Sequence, residues 1–133
     1  MSKTEDKIQE IFQSAGIPCI REKTFPDLKK GQLRFDFYLP TMNVLVEYDS
    51  EIHFQKVPKF HRTYNDFSHA QENDRIKNSY ALAHLIPLYR VPYWTLSNIK
   101  TVSDILSPQF LVKSKWHNDI VYREYKMQSS KKK

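Results

Sequence analysis

Cysteine is almost missing from this chain: Cys19 is the only one in 133 residues. That excludes a disulfide framework and a zinc site built from several thiolates, and a lone thiol fits a reducing compartment. Long hydrophobic runs are missing too. No stretch approaches the roughly 18 apolar residues of a membrane-spanning helix, and the N-terminus shows no secretory h-region. A soluble cytoplasmic protein with no membrane partner is expected. Internal repeats, glycine/serine linkers and low-complexity tracts are also lacking, so the length suits one domain with one core.

Positive charge is in excess and unevenly placed. The net charge is +6. From residue 111 onward, Lys113, Lys115, Arg123, Lys126, Lys131, Lys132 and Lys133 face only Asp119 and Glu124. Residues 1–110 hold fourteen basic and thirteen acidic side chains, so +5 of the net charge lies in the C-terminal segment. The division read from this is a body over 1–110 and a basic extension over 111–133. Such an extension points to a polyanionic partner, nucleic acid before others. The plain alternative is a solvated terminus kept for solubility.

Periodicity predicts an amphipathic helix over residues 4–15, with Ile8, Ile11, Phe12 and Ala15 on one face and Gly16 as its stop. Ser2 and Glu5 have capping-box spacing at its start. Residues 17–25 read as partly extended and "PDLKKGQ" as a turn-rich connection. A β-hairpin follows, in which Leu33, Phe35 and Phe37 alternate with Arg34, Asp36 and Tyr38. In its second strand Val44, Val46 and Tyr48 alternate with Leu45, Glu47 and Asp49. With Thr41-Met42 at the tip, Asp36 lies opposite Glu47, and Glu47 and Asp49 share that face. "QKVPKFHRTYN" reads as an irregular basic-aromatic loop. Beyond it come a helix over Phe67–Leu85 burying Ala70, Ile76, Tyr80 and Ala83 or His84, a strand over Ile86–Tyr93, and a short helix over Leu96–Leu106. The aromatics at 60, 64, 67, 80, 89, 93 and 94 read as core. "FLVKSKWHNDIVYREYK" fits a strand or a helix. The order implies an α/β fold, a mixed β-sheet flanked by helices.

Asp is depleted from strand interiors, so Asp36, Glu47 and Asp49 on one hairpin face need a reason. Carboxylates a few ångströms apart repel unless a cation or proton compensates, and a hard divalent cation with oxygen ligands is the natural compensation. Mg2+ held this way, with Mn2+ as a substitute, activates water and neutralises charge during attack on a phosphodiester. His53, where the strand runs out, fits a general acid or base. Asp74 and Lys77, at i,i+3, project from one helix face: Lys77 suits a phosphate, and Asp74 suits orienting Lys77 or His53. Plain structural readings stand beside each of these. Glu5 is a helix cap, Asp74 and Lys77 a surface ion pair, His53 a structural histidine, and Glu47 with Asp49 the wet face of a half-exposed strand.

The runs "LRFDFYLP", "NVLVEYDSEIHF", "NDRIKNSYAL" and "IPLYRVPYW" resemble the restriction-endonuclease-like, PD-(D/E)XK superfamily. The likeness is to a branch related to very-short-patch repair endonucleases and to phage and bacterial homing endonucleases, and it spans about residues 2–95. It implies a restriction-endonuclease-like core with Asp36, Glu47 and Asp49 as metal-binding carboxylates. It implies His53, Asp74 and Lys77 as site members and raises Glu5 from a cap to a candidate site residue. Tyr89–Tyr93 becomes the core strand that closes the sheet. Ser50 departs from the pattern, standing where Gly is usual.

The expected function is that of a Mg2+-dependent DNA endonuclease of phage or mobile-element origin, acting in the host cytoplasm, with a homodimer as one expected assembly. Lys56, Lys59 and Arg62 of the loop, and Lys113, Lys115, Arg123 and Lys126 of the extension, are the candidate DNA contacts. The alternatives are a structure-selective nuclease resolving branched DNA, or a non-catalytic DNA-binding module on a nuclease fold.

Overall fold

The computed structural model describes residues 3–55 and 64–131. Its elements, in order, are α1 (Lys3–Ser14), β1 (Ile20–Thr24), β2 (Arg34–Leu39), β3 (Val44–Asp49), α2 (Tyr64–Ala83), β4 (Leu88–Pro92), α3 (Val102–Ile105) and α4 (His117–Lys131). The strands form one mixed sheet in the order β1-β2-β3-β4. The first three run antiparallel, and β4 adds parallel to β3.

The β2–β3 hairpin has the expected register, with Leu39 opposite Val44 and Phe37 opposite Val46. Its tip is longer than two residues. Leu39 O accepts the Met42 N–H at 3.2 Å, and Asn43 completes the turn at φ +54°, a left-handed conformation that Asn tolerates better than most side chains. β3 is buried at five of its six positions because helices cover both faces of the sheet. On one face α1 packs Ile8 and Phe12 against Phe37, Val46 and Val91. On the other, Ala81 of α2 joins Leu45, Leu88 and Phe35. Phe35 and Phe37, which simple alternation puts together, thus belong to different clusters, and Asp36 sits between them.

Two expectations need correcting. The buried stripe of α2 is Phe67, Asp74, Asn78 and Ala81, whereas Ala83 and His84 are exposed. Ile76 and Tyr80 do pack, partly buried, against the cluster of Leu45 and Leu88, but half of the fully buried stripe is polar and gives no hydrophobic signal. The helix expected over Leu96–Leu106 is two pieces, a 3-10 turn at Tyr93–Asn98 and then α3. A capping box restarts it: Thr101 Oγ1 accepts the Asp104 N–H at 3.3 Å, and Asp104 Oδ2 accepts the Thr101 N–H at 2.9 Å. Ser50 takes φ −74° and ψ 176°, ordinary extended backbone, so the missing glycine costs no strain there.

Residues 111–131 are part of the body's packing. Leu111 bridges to Tyr89, the Val112 N–H bonds Leu88 O at 2.8 Å, and α4 docks through several side chains. Arg75 of α2 reaches Asp119 at 2.9 and 3.2 Å, and the Trp94 and Tyr125 rings stack 4.2 Å apart and 6° from parallel. Tyr93 and Trp94 are therefore half-buried docking aromatics rather than core. Deleting 111–133 removes buried Val112 and the Leu111 bridge to Tyr89 together with that docking. It should lower the melting temperature by roughly 10 °C or more, the scale of several kcal/mol in a domain of this size. Deleting only 132–133 should leave it within about 1 °C. Differential scanning calorimetry of both truncations checks this, and equal melting temperatures sink it.

Candidate functional site

Four carboxylates meet where β2, β3 and α2 converge. Glu47, Asp49 and Asp74 are buried to within a few per cent, and Asp36 is half-buried. Burying so much negative charge costs several kcal/mol per ion unless it is compensated. The compensating group that sequence reasoning missed is Arg90, 1% exposed at the centre of β4. Its Nη1 donates to Asp49 Oδ1 at 2.7 Å and lies 3.9 Å from Glu47 Oε2. Its Nη2 lies 3.5 Å from Asp74 Oδ1, and its Nε donates to Asn78 Oδ1 at 2.7 Å. The visible signal was an arginine inside "IPLYRVPY", as out of place in a buried strand as the acids are in theirs.

Lys77 and His53 supply the remaining positive charge. Lys77 Nζ lies 3.2 and 3.3 Å from the two oxygens of Glu47. Asp74 and Lys77 therefore form no surface pair with each other. Asp74 is buried against Arg90 and His53, and Lys77 serves Glu47. His53 Nδ1 is 2.7 Å from Asp74 Oδ2 and 3.6 Å from Asp49 Oδ1. Burial disfavours the imidazolium, but Asp49 and the bond to Asp74 outweigh it and lift the His53 pKa to about 9. Burial likewise opposes ionisation of Asp74, yet Arg90 and His53 hold it down at about 2. For Asp49, burial pushes the pKa up, against the pull of Arg90 and His53.

Asp36 and Glu47 face each other as expected, but through an altered ladder. The Asp36 N–H donates to Glu47 Oε1 at 2.8 Å, and the Tyr48 N–H donates to Asp36 Oδ2 at 2.8 Å. Carboxylates have taken places that strand carbonyls hold elsewhere. Burial, then repulsion from Glu47, pushes Asp36 up to about 8, and Glu5 adds to the push. Glu5 itself accepts from Arg21 Nη2 at 3.1 Å, close enough to the cluster for Asp36 to feel its charge. Its proposed capping partner, Ser2, lies outside the described residues. Arg90, Lys77 and His53 thus lie among Glu47, Asp49 and Asp74, so the protein's own basic groups meet the buried carboxylates.

Among the described residues, the group whose ligand atoms converge is Asp49, His53 and Asp74, all within 4.8 Å of one another. Asp36 and Glu47, expected to join Asp49 as metal ligands, stand outside that group and bind backbone and Lys77. Two carboxylate oxygens and an imidazole nitrogen are a mixed donor set. It fits a divalent cation, and the nitrogen suits Mn2+ better than Mg2+. Beside it lies a cavity of about 210 Å³ lined by His53, Phe54, Gln71, Asp74, Asn118, Asp119, Tyr122 and Arg123.

The expected DNA contacts divide in two. Lys113, Lys115, Arg123 and Lys126 are exposed on α4 and its approach, with Lys115 and Arg75 lying 4.8 and 5.0 Å from the Trp116 ring. Lys56, Lys59 and Arg62 lie outside the described residues. Asn78 and Asn118 are the other members that sequence reasoning missed. Asn78, one turn beyond Asp74 on α2, was legible by spacing, while nothing in the sequence signalled Asn118. No protein-family model, no curated protein and no solved structure matches this chain.

The titrations set the protein's pH response. Between about 4 and 8 the folded chain keeps a proton on Asp36 that the unfolded chain, with its Asp near 3.8, has lost, so rising pH removes stability there. His53 acts in the same sense: its contribution is full below 6.5 and is lost as pH rises through about 9. Asp74 stabilises above 3.8, and that contribution is lost as pH falls through about 2. His117, which burial holds at about 4, adds stability as pH rises from about 4 to 6.5 and offsets Asp36 there, so melting temperature in EDTA should be highest at roughly pH 4–6 and decline toward pH 9. Asp36→Asn should flatten the decline below pH 8 and melt higher than wild type at pH 8. A variant curve parallel to wild type would remove Asp36 from this role.

Proposed function

We propose that this protein is a divalent-metal-dependent DNA endonuclease, in keeping with its resemblance to the PD-(D/E)XK superfamily. The observation that carries the reading is the convergence of Asp49, His53 and Asp74 beside Lys77 and Glu47, on a sheet whose neighbouring helix exposes Arg123 and Lys126. The mixed sheet flanked by helices is the architecture that the resemblance implies.

In this reading Asp49, His53 and Asp74 would hold the cation, its binding releasing the proton that His53 otherwise carries below about pH 9. When bound, it stabilises charge on the scissile phosphate and lowers the pKa of a water. Lys77, kept in place by both oxygens of Glu47, binds a phosphate oxygen. Arg90 is too deeply buried to reach substrate; it fixes the positions of Asp49 and Asp74 and holds Asp74 in its charged form. Asp36, with its pKa near 8, is the group poised to exchange a proton close to neutral pH. Lys113, Lys115, Arg123 and Lys126 hold the backbone of the DNA.

A specific observation favours a second reading. The protein's own Arg90, Lys77 and His53 already pair with the buried acids, as in a non-catalytic DNA-binding module built on this fold. Incubation with Mn2+ or Mg2+ and three substrates (linear duplex, single strand and four-way junction) separates the readings on one gel. Cleavage supports the nuclease, and preference for the junction marks it as structure-selective. Intact DNA in all lanes returns the chain to the second reading.

For a cleaving protein, Asp49→Ala and Asp74→Ala should each lower the rate at least about 10³-fold. His53→Ala should weaken Mn2+ binding about tenfold or more, as for a lost ligand. Intact Mn2+ affinity with a rate loss of about 10²–10⁴ would instead assign His53 to proton transfer.

Replacing Lys113, Lys115, Arg123 and Lys126 together by Gln should flatten the slope of log affinity against log salt by about 3 to 4, since each phosphate contact contributes about 0.9. Relative affinities among duplex sequences should stay unchanged. An unaltered slope by fluorescence anisotropy would move the DNA contact elsewhere.

A further inference from the structure

Four buried side chains close a hydrogen-bonded ring through the site. Asp49 Oδ1 accepts from Arg90 Nη1 at 2.7 Å, and Arg90 Nε donates to Asn78 Oδ1 at 2.7 Å. Asn78 Nδ2 donates to Asn118 Oδ1 at 3.1 Å, and Asn118 Nδ2 donates back to Asp49 Oδ2 at 3.1 Å. Each member comes from a different element: β3, β4, α2 and α4. Asn118 is the least buried of the four, at 7% exposed.

Residue type is tightly constrained at position 118. The side chain must donate to a carboxylate on one side and accept from an amide on the other. It must also bring no negative charge beside the buried Asp49 carboxylate. An amide does all three; an aspartate would place a second anion 3.1 Å from Asp49. The docking of α4 rests on other contacts as well, the Arg75–Asp119 pair and the Trp94–Tyr125 stack. Asn78 also donates its amide to Lys115 O at 3.1 Å, which ties the approach to α4 to the same ring.

We infer that Asn118 is a positioning residue of the site. It fixes the rotation of the Asp49 carboxylate, so that Oδ1 stays on Arg90 and 3.6 Å from His53 Nδ1 while Oδ2 is drawn toward α4. The inference rests on the nuclease reading in taking Asp49 as a metal-binding carboxylate. It makes α4 a working part of the site as well as a DNA-facing surface.

The test compares the whole chain as wild type, Asn118→Ala and Asp119→Asn, the last loosening α4 from α2 without touching the ring. Binding of Mn2+ alone is followed by electron paramagnetic resonance, and solvent exchange of the Arg90 Nε–H by NMR without metal. Asn118→Ala should weaken Mn2+ binding about 10- to 100-fold. It should also speed exchange at Arg90, although the direct partner of that N–H is Asn78. On DNA, kcat should fall by about 10²-fold with KM within about twofold, as for a misplaced reacting group rather than a lost substrate contact. Asp119→Asn should lower the melting temperature and leave Mn2+ affinity and Arg90 exchange as in wild type. Unchanged values in Asn118→Ala, or equal losses in Asp119→Asn, overturn the inference. Should Asn118→Ala fail to fold, Asn118→Thr, which keeps a hydroxyl donor, replaces it and is read by the same two measurements. A wild-type chain that binds Mn2+ but leaves DNA intact sinks the nuclease reading alone, because neither measurement uses DNA. A wild-type chain that binds no Mn2+ sinks the metal reading, and the Arg90 exchange then decides the ring.

Discussion

A guanidinium cannot shed its proton inside a protein, and most of this architecture follows from burying one. Arg90 sits in the last strand of the sheet with 1% exposure, and its charge must be met where it lies. Asp49, Asp74 and, at longer range, Glu47 meet it. The dependence runs both ways, since those carboxylates have no water to turn to either. Buried pairs of this kind add little net stability over an apolar core, but removing one partner strands the other at a cost of about 3–5 kcal/mol. The cluster is thus fixed as a unit, and β3, β4 and α2 are held in register by charge as well as by packing.

The same constraint explains how the sheet bends its own rules. Beside Asp36 and Glu47 the β2–β3 ladder gives way to side-chain acceptors for the Asp36 and Tyr48 N–H groups, so no backbone donor is lost where the strands carry carboxylates. Phe35 and Phe37 go to opposite clusters across this interruption. α2 turns a partly polar face inward because what it covers is charge. A site built this way stands on rigid elements whose side chains have few alternative rotations, the condition for holding reacting groups within a fraction of an ångström.

Much of the frame could be read from residues alone. Alternation placed β2 and β3, their register, and Asp36 opposite Glu47; periodicity placed α1 and its stop at Gly16. The helix after the basic loop was legible, but its buried face was not, because Asp74 and Asn78 carry no hydrophobic signal. The acids were conspicuous as misfits in strands, and the reasoning that they require a partner was sound. A metal was the partner expected, and Arg90, an equal misfit that also meets these acids, was read only as part of a core strand. Asn118 was beyond reach: an asparagine in a basic, polar segment acquires meaning only once α4 is docked over Asp49. Local pattern reveals which groups need compensation; the fold decides who provides it.

The ring has a temporal side. A polypeptide emerges from the ribosome N-terminus first, and β3, α2 and β4 are all made before residue 118. Until Asn118 arrives, Oδ2 of Asp49 lacks the Asn118 amide donor and the cavity beside His53 lacks the wall formed by Asn118, Asp119, Tyr122 and Arg123. A nascent chain therefore carries its charged cluster but not the finished site, and assembly waits on the helix synthesised last among the described elements.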